Sequence, residues 1–104
     1  MSNPMKIRPT FKEGMTEVRI LMQHDMETGR RKDDEGKLVP AWYITEVTAW
    51  HKERIVLEGQ FGTAVSKNPY LIFRFSDGVP GDKVSVKWVD NHGESRTDEA
   101  EIVQ

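Results

Sequence analysis

Period-two alternation of apolar and polar side chains recurs in short segments of this chain, and that pattern folds as half-buried β-strands. Val18, Ile20 and Met22 alternate with Glu17, Arg19 and Gln23. Leu71, Phe73 and Phe75 line one face of a second segment, with Arg74 and Ser76 on the other. Val84, Val86 and Trp88 alternate with Lys83, Ser85 and Lys87 in a third. Four weaker segments share the pattern. Met5 to Phe11 contains Pro9, which has no N–H to give a ladder, so this segment reads as an edge strand or a bulge. Tyr43, Thr45, Val47 and Ala49 alternate with Ile44, Glu46 and Thr48, flanked by Trp42 and Trp50. Arg54 to Glu58 is a short apolar piece, and Thr97 to Val103 sets Ala100 and Ile102 against Glu99 and Glu101.

Turn chemistry separates the segments. Asp77-Gly78, Pro80-Gly81 and Asn91-His92-Gly93 supply the Gly and Asn that accept the positive φ of tight hairpins. The sequence shows no helical period, internal repeat or low-complexity tract. About seven short strands in 104 residues predict an all-β domain over 1–104, an immunoglobulin-like (fibronectin III-like) β-sandwich. The absence of a cysteine pair argues against an antibody-type domain and leaves the sandwich untouched.

One stretch breaks the pattern. Residues 24–41 are polar and carry Gly29, Gly36 and Pro40. Connections this long in compact domains are functional or disordered, so a contact surface is sought here first. A tip hairpin around Glu35-Gly36 would order part of it.

Composition narrows the function. Fifteen basic and 17 acidic side chains are mixed along the chain for a net charge of −2, without the basic excess of a nucleic-acid binder. With no cysteine, the chain has no thiol chemistry, thiolate zinc site or disulfide of its own. Met1-Ser2-Asn3-Pro4-Met5-Lys6 lacks the apolar core of an export signal, so none is expected. A domain of this length buries only about 60–65% of its unfolded surface, and such domains gain stability by docking to a partner.

Side-chain chemistry gives no argument for an enzyme. His24, His51 and His92 lie apart at strand ends and turns, in no ligand spacing, and are expected to be surface or hydrogen-bonded residues. Asp33-Asp34-Glu35-Gly36 faintly resembles a calcium loop, but Ile44 falls where the twelfth-position Glu would be required. Ser66 and Ser95 have no nucleophile context. No cofactor or metal is expected. Trp42, Tyr43 and Trp50 could instead make a stacking platform, which gives a second reading: a carbohydrate-binding or adhesion-type sandwich module. Trp88, in a cleanly alternating strand, is expected in the core.

Four blocks of this sequence together resemble the SoxZ family along nearly the whole chain. They are His24-Asp25-Met26-Glu27-Thr28-Gly29, Ser66-Lys67-Asn68-Pro69-Tyr70-Leu71, Trp88-Val89-Asp90-Asn91 and Ser95-Arg96-Thr97-Asp98-Glu99-Ala100. One departure is Asp25, where the family usually has a proline that would preset φ. The resemblance implies a non-catalytic subunit that pairs with SoxY in periplasmic thiosulfate oxidation. SoxY's Gly-Gly-Cys-Gly-Gly arm carries the sulfur intermediates covalently and reaches the other Sox enzymes. The resemblance also implies co-export with SoxY, which carries the signal, and no contact with nucleic acid or membrane. By motif position alone, the expected partner surface combines His24, Met26, Glu27 and Thr28 with Asn68, Pro69 and Tyr70.

Overall fold

The computed structural model describes residues 3–104 and turns the alternating segments into seven strands. These are β1 (Lys6–Lys12), β2 (Met15–Leu21), β3 (Ile44–His51), β4 (Arg54–Gln60), β5 (Tyr70–Phe75), β6 (Lys83–Asp90) and β7 (Ser95–Glu101). Among the described residues there is no helix. Met1 and Ser2, the start of the segment read for an export signal, lie outside them.

All named pairings are antiparallel, in one sheet of order β1-β2-β5 and another of order β4-β3-β6-β7. The chain is therefore an all-β sandwich. β4 stays beside β3 and does not cross to the sheet of β5, as the fourth strand of an immunoglobulin constant domain does. Val18, Ile20 and Met22 from one sheet meet Val47, Ala49, Val84, Val86 and Trp88 from the other, all fully buried or nearly so. Burying each such aliphatic side chain is worth about 1.5–3 kcal/mol, so this double layer is the main source of stability.

Pro9 stands on the outer strand of its sheet, as a residue without an N–H must. That edge is partly closed by the C-terminal residues. Phe11 N–H donates to Val103 O at 2.7 Å, and Val103 N–H donates to Pro9 O at 3.1 Å.

The expected phase of β3 needs correcting at its start. Simple alternation puts Ile44 opposite Val47 and Ala49, yet Ile44 is fully buried with them. The pairing with β6 slips by one residue between Ile44 and Glu46. Thr45 is the extra residue of this bulge, and an inserted residue reverses the facing of everything before it. A second slip between β3 and β4 falls at Val56.

Residues 24–42 fold as a two-legged arm. Glu27 and Trp42 exchange backbone hydrogen bonds at 2.6 and 2.9 Å, and Val39 N–H donates to Arg31 O at 2.8 Å. At the tip, the Asp33 carboxylate accepts from the N–H groups of Glu35 and Lys37 at 2.9 and 3.0 Å, so the hairpin turns around Glu35-Gly36 as expected. Strands of seven or eight residues span only about 25 Å. The long axis of the molecule is 52 Å against 21 Å across, and the side chains from Arg30 to Leu38 are exposed, so the arm projects from the sandwich.

Candidate partner-binding end

The inward phase of two strands runs on past their apolar residues into polar ones at this end. β2 continues from Val18, Ile20 and Met22 to His24, and β6 continues from Val84, Val86 and Trp88 to Asp90. Both polar side chains are carried inward at one end of the sandwich, where His24 is 6% and Asp90 3% exposed. A carboxylate buried this deeply is tolerated only when it is fully hydrogen-bonded. Asp90 is. Its Oδ2 accepts His24 Nε2–H at 3.1 Å and Trp42 Nε1–H at 2.8 Å, while Oδ1 accepts the backbone N–H groups of His92 and Glu94 at 3.0 and 2.9 Å.

His24 is fixed from both sides. Met26 N–H donates to its Nδ1 at 3.1 Å, so Nε2 carries the proton that Asp90 receives. Both ring nitrogens are used. A general base needs a free nitrogen facing a substrate proton, so this His–Asp pair is not arranged for one. Trp42 lies between His24, edge-on at 4.9 Å, and His92, stacked at 5.4 Å, and the Trp88 ring meets His24 edge-on at 5.2 Å. Beside them is a shallow cleft of about 180 Å³ lined by Gln23, Asp25, Trp42 and Glu94 among others.

The first three resembling blocks converge here. Asn68 N–H donates to His24 O at 2.9 Å, and Asn68 Oδ1 accepts His24 N–H at 3.1 Å. Asn91 joins the base of the arm to the strand end. Its Oδ1 accepts Tyr43 N–H and its Nδ2 donates to Ala41 O, both at 2.9 Å. Met26 and Asn68, one from each of the first two blocks, hold left-handed backbone at φ 52° and 53°, where non-glycine residues are uncommon. The motif residues therefore build the root of the arm.

Of the expected partner surface, the side chains of His24, Met26 and Pro69 are buried and hold the loop in shape. Thr28, Asn68 and Tyr70 face outward, and Glu27 is half-buried in an ion pair with Arg31. Tyr70 does not face the arm. It belongs to the outer face of the β1-β2-β5 sheet, in register with Leu21 and Lys6. The aromatic platform is not assembled either. Trp42 and Trp50 stand at opposite ends of β3, about 26 Å of extended chain apart, and Trp42 is tied to Asp90.

The opposite end repeats the device. His51, at the end of β3 and 5% exposed, pairs with Asp82 at 2.8 Å just before β6, and its ring packs on Phe75 at 5.0 Å. Among the described residues no three of His, Asp or Glu cluster as a metal site would need.

Burial pushes the Asp90 carboxyl up, but the bonds from His24, Trp42 and the two backbone N–H groups more than offset this and hold it below the usual range. Asp82 is lowered by its bond from His51, and Glu17 by bonds from Arg19 and Arg74. The native state then binds fewer protons than the unfolded chain in acid. The stability these groups contribute is present above the unfolded carboxyl values near ~4 and is lost as pH falls through the lower folded ones. Thermal melts from pH 6 down to pH 2 are expected to show the midpoint falling steeply below about pH 4. A midpoint that held or rose over that range would contradict the arrangement.

Fold and site together define a β-sandwich domain with an internally locked end and an exposed arm. Solved structures share the fold. A hypothetical protein from Pyrococcus horikoshii OT3 aligns at a TM-score of 0.68 and 13% identity, covering 96% of this chain and 88% of that one. The superoxide reductase (neelaredoxin) from Ignicoccus hospitalis aligns at 0.62 and 12% identity, covering 99% and 82%. That from Archaeoglobus fulgidus, in the reduced form, aligns at 0.55 and 15%, covering 96% and 86%. At such identities the likeness is one of fold alone. No curated protein matches the chain in sequence. Residues 5–101 match the family described as sulphur oxidation protein SoxZ, and the chain belongs to that family. It is a sulfur-oxidation protein.

Proposed function

We propose that this chain is the non-catalytic scaffold subunit of a SoxYZ-type carrier. It pairs with SoxY, whose cysteine arm bears sulfur intermediates covalently during thiosulfate oxidation in the periplasm. The match to the SoxZ family over residues 5–101 carries this reading. The chemistry of the site supports it. The buried His–Asp pair near the motif blocks has both imidazole nitrogens occupied. Export follows from the pairing: the chain travels with SoxY and its signal as a folded complex.

Co-expression of a tagged chain with a SoxY protein, followed by native mass determination, tests the proposal. A one-to-one pair that survives purification is expected. A chain recovered as a monomer beside intact SoxY would overturn it.

A further inference from the structure

The two outer faces of the sandwich carry opposite charge, although the linear sequence mixes its charges evenly. Register places Lys6 beside Leu21 and Tyr70 on the outer face of β1-β2-β5, then Arg8 beside Arg19 and Ile72. Next come Thr10 beside Glu17 and Arg74, and Lys12 beside Met15. The face thus holds five cations and a single carboxylate. Glu17 is already taken up, bonded to Arg19 at 2.9 Å and to Arg74 at 3.0 Å. Lys6, Arg8 and Lys12 form no ion pair among the described residues. On the opposite outer face, Glu46, Glu58, Glu99 and Glu101 outnumber Lys83 and Lys87.

The basic face also has an apolar centre. Tyr70 is 56% and Ile72 50% exposed, and a hollow of about 250 Å³ lies between Tyr70, Leu21 and the cations Lys6, Arg8 and Arg19. A polyphosphate would satisfy the cations and leave Ile72 and Leu21 with nothing to bury. A protein surface satisfies both, because interfaces combine a desolvated aromatic and aliphatic centre with a charged rim. Tyrosine and arginine are among the side chains enriched at the energetic centre of such contacts.

We infer that the outer face of β1-β2-β5 is the docking face for an acidic protein partner. That partner presents Asp and Glu side chains to Lys6, Arg8 and Arg19 around an apolar patch that closes over Tyr70 and Ile72. The inference rests on the heterodimer proposed above and assigns its contact surface. Attraction between the faces steers the encounter, and the apolar centre holds the docked pair.

The test uses the full chain and purified SoxY, with affinity and rates measured at low and high salt. Arg8→Glu and Tyr70→Ala change the face. Glu99→Lys, on the opposite sheet, serves as the control. Both face residues are exposed, and circular dichroism melts confirm that each variant folds. Each face variant is expected to weaken binding about tenfold or more, Arg8→Glu mainly by slowing association and Tyr70→Ala by speeding dissociation. Glu99→Lys should stay within about twofold. Raising the salt should weaken the wild-type pair more than the Arg8→Glu pair. If the wild type binds SoxY and both face variants bind equally well, the docking face is elsewhere and the inference falls while the heterodimer stands. A wild-type chain that ignores SoxY overturns the heterodimer itself. Self-association of the wild type alone, abolished by both Arg8→Glu and Glu99→Lys, would assign the face to a second copy and overturn the choice of partner.

Discussion

An Asp90→Ala variant is expected to lose about 3–5 kcal/mol of stability, because it strands buried donors that have no other acceptor. The loss has four parts. His24 Nε2–H, Trp42 Nε1–H and the backbone N–H groups of His92 and Glu94 all point at the carboxylate, and alanine leaves each without its acceptor. Each stranded donor costs on the order of 1–3 kcal/mol, less whatever water recovers at this end. Asparagine is no conservative substitute. In either flip its NH₂ faces two N–H donors, because two donors converge on each oxygen of Asp90. His24 cannot yield by changing tautomer, since a proton on Nδ1 would oppose Met26 N–H. Asp90→Asn is therefore expected to cost about 2–3 kcal/mol. A domain of this size has only about 5–15 kcal/mol in hand, so the alanine variant gives up a large share of it and is partly unfolded where the wild type starts near the low end. Urea titration of both variants, followed by tryptophan fluorescence, measures the loss. An alanine variant within 1 kcal/mol of wild type would show that the network carries little of the stability.

That network was legible in the sequence, but only by extending a pattern one step further. Alternation identifies β2 and β6 from their apolar residues, and the same phase carries His24 and Asp90 to the inner face. It does the same for His51 beyond Val47 and Ala49. Two inward polar residues at one end of a sandwich must find each other or pay for burial alone. What alternation cannot supply is the pairing. His24 and Asp90 are 66 residues apart, and only the packing of the two sheets brings them together. The histidines were expected to be hydrogen-bonded or on the surface, and His24 and His51 are hydrogen-bonded while His92 is exposed.

Other features were hidden for different physical reasons. The buried position of Ile44 depends on the Thr45 bulge, and a single inserted residue leaves no mark on composition. The basic face is likewise absent from any window of sequence. Its cations come from three strands, and each strand gives up every other residue to the core, so local charge averages out while the folded face does not. The long 24–41 segment stood out by length and polarity. Its ordering could be anticipated at the Glu35-Gly36 tip, but not at its root, where Trp42 and Asn91 tie it to β6.

A Gly78→Ala variant is expected to destabilise the opposite end by about 1–3 kcal/mol, the usual cost of forcing atoms into a filled core. Space, not backbone freedom, requires glycine here. A Cβ at position 78 would stand 2.5 Å from Thr16 Oγ1, 3.0 Å from Ile102 Cδ1 and 3.1 Å from Phe75 Cε2. Those neighbours are held in place. Ile102 N–H donates to Asp82 O at 2.7 Å, and Phe75 packs on His51, itself bonded to Asp82. Thr16 is the exception, since its buried hydroxyl has no hydrogen-bond partner in the structure. Removing that side chain sacrifices a methyl contact but also removes an unsatisfied polar atom, so Thr16→Ala alone should cost little. In the Thr16→Ala background, Gly78→Ala loses its shortest clash and keeps the two at 3.0 and 3.1 Å. The double variant should therefore be more stable than the sum of the single changes predicts, by about 0.5 kcal/mol or more. For a chain of this length 1 kcal/mol moves the melting midpoint by about 4–8 °C, so calorimetry resolves all three variants. Strict additivity would mean that Ile102 and Phe75, not the Thr16 hydroxyl, set the limit at position 78. An undiminished midpoint for Gly78→Ala alone would mean that this turn does not close on the core at all.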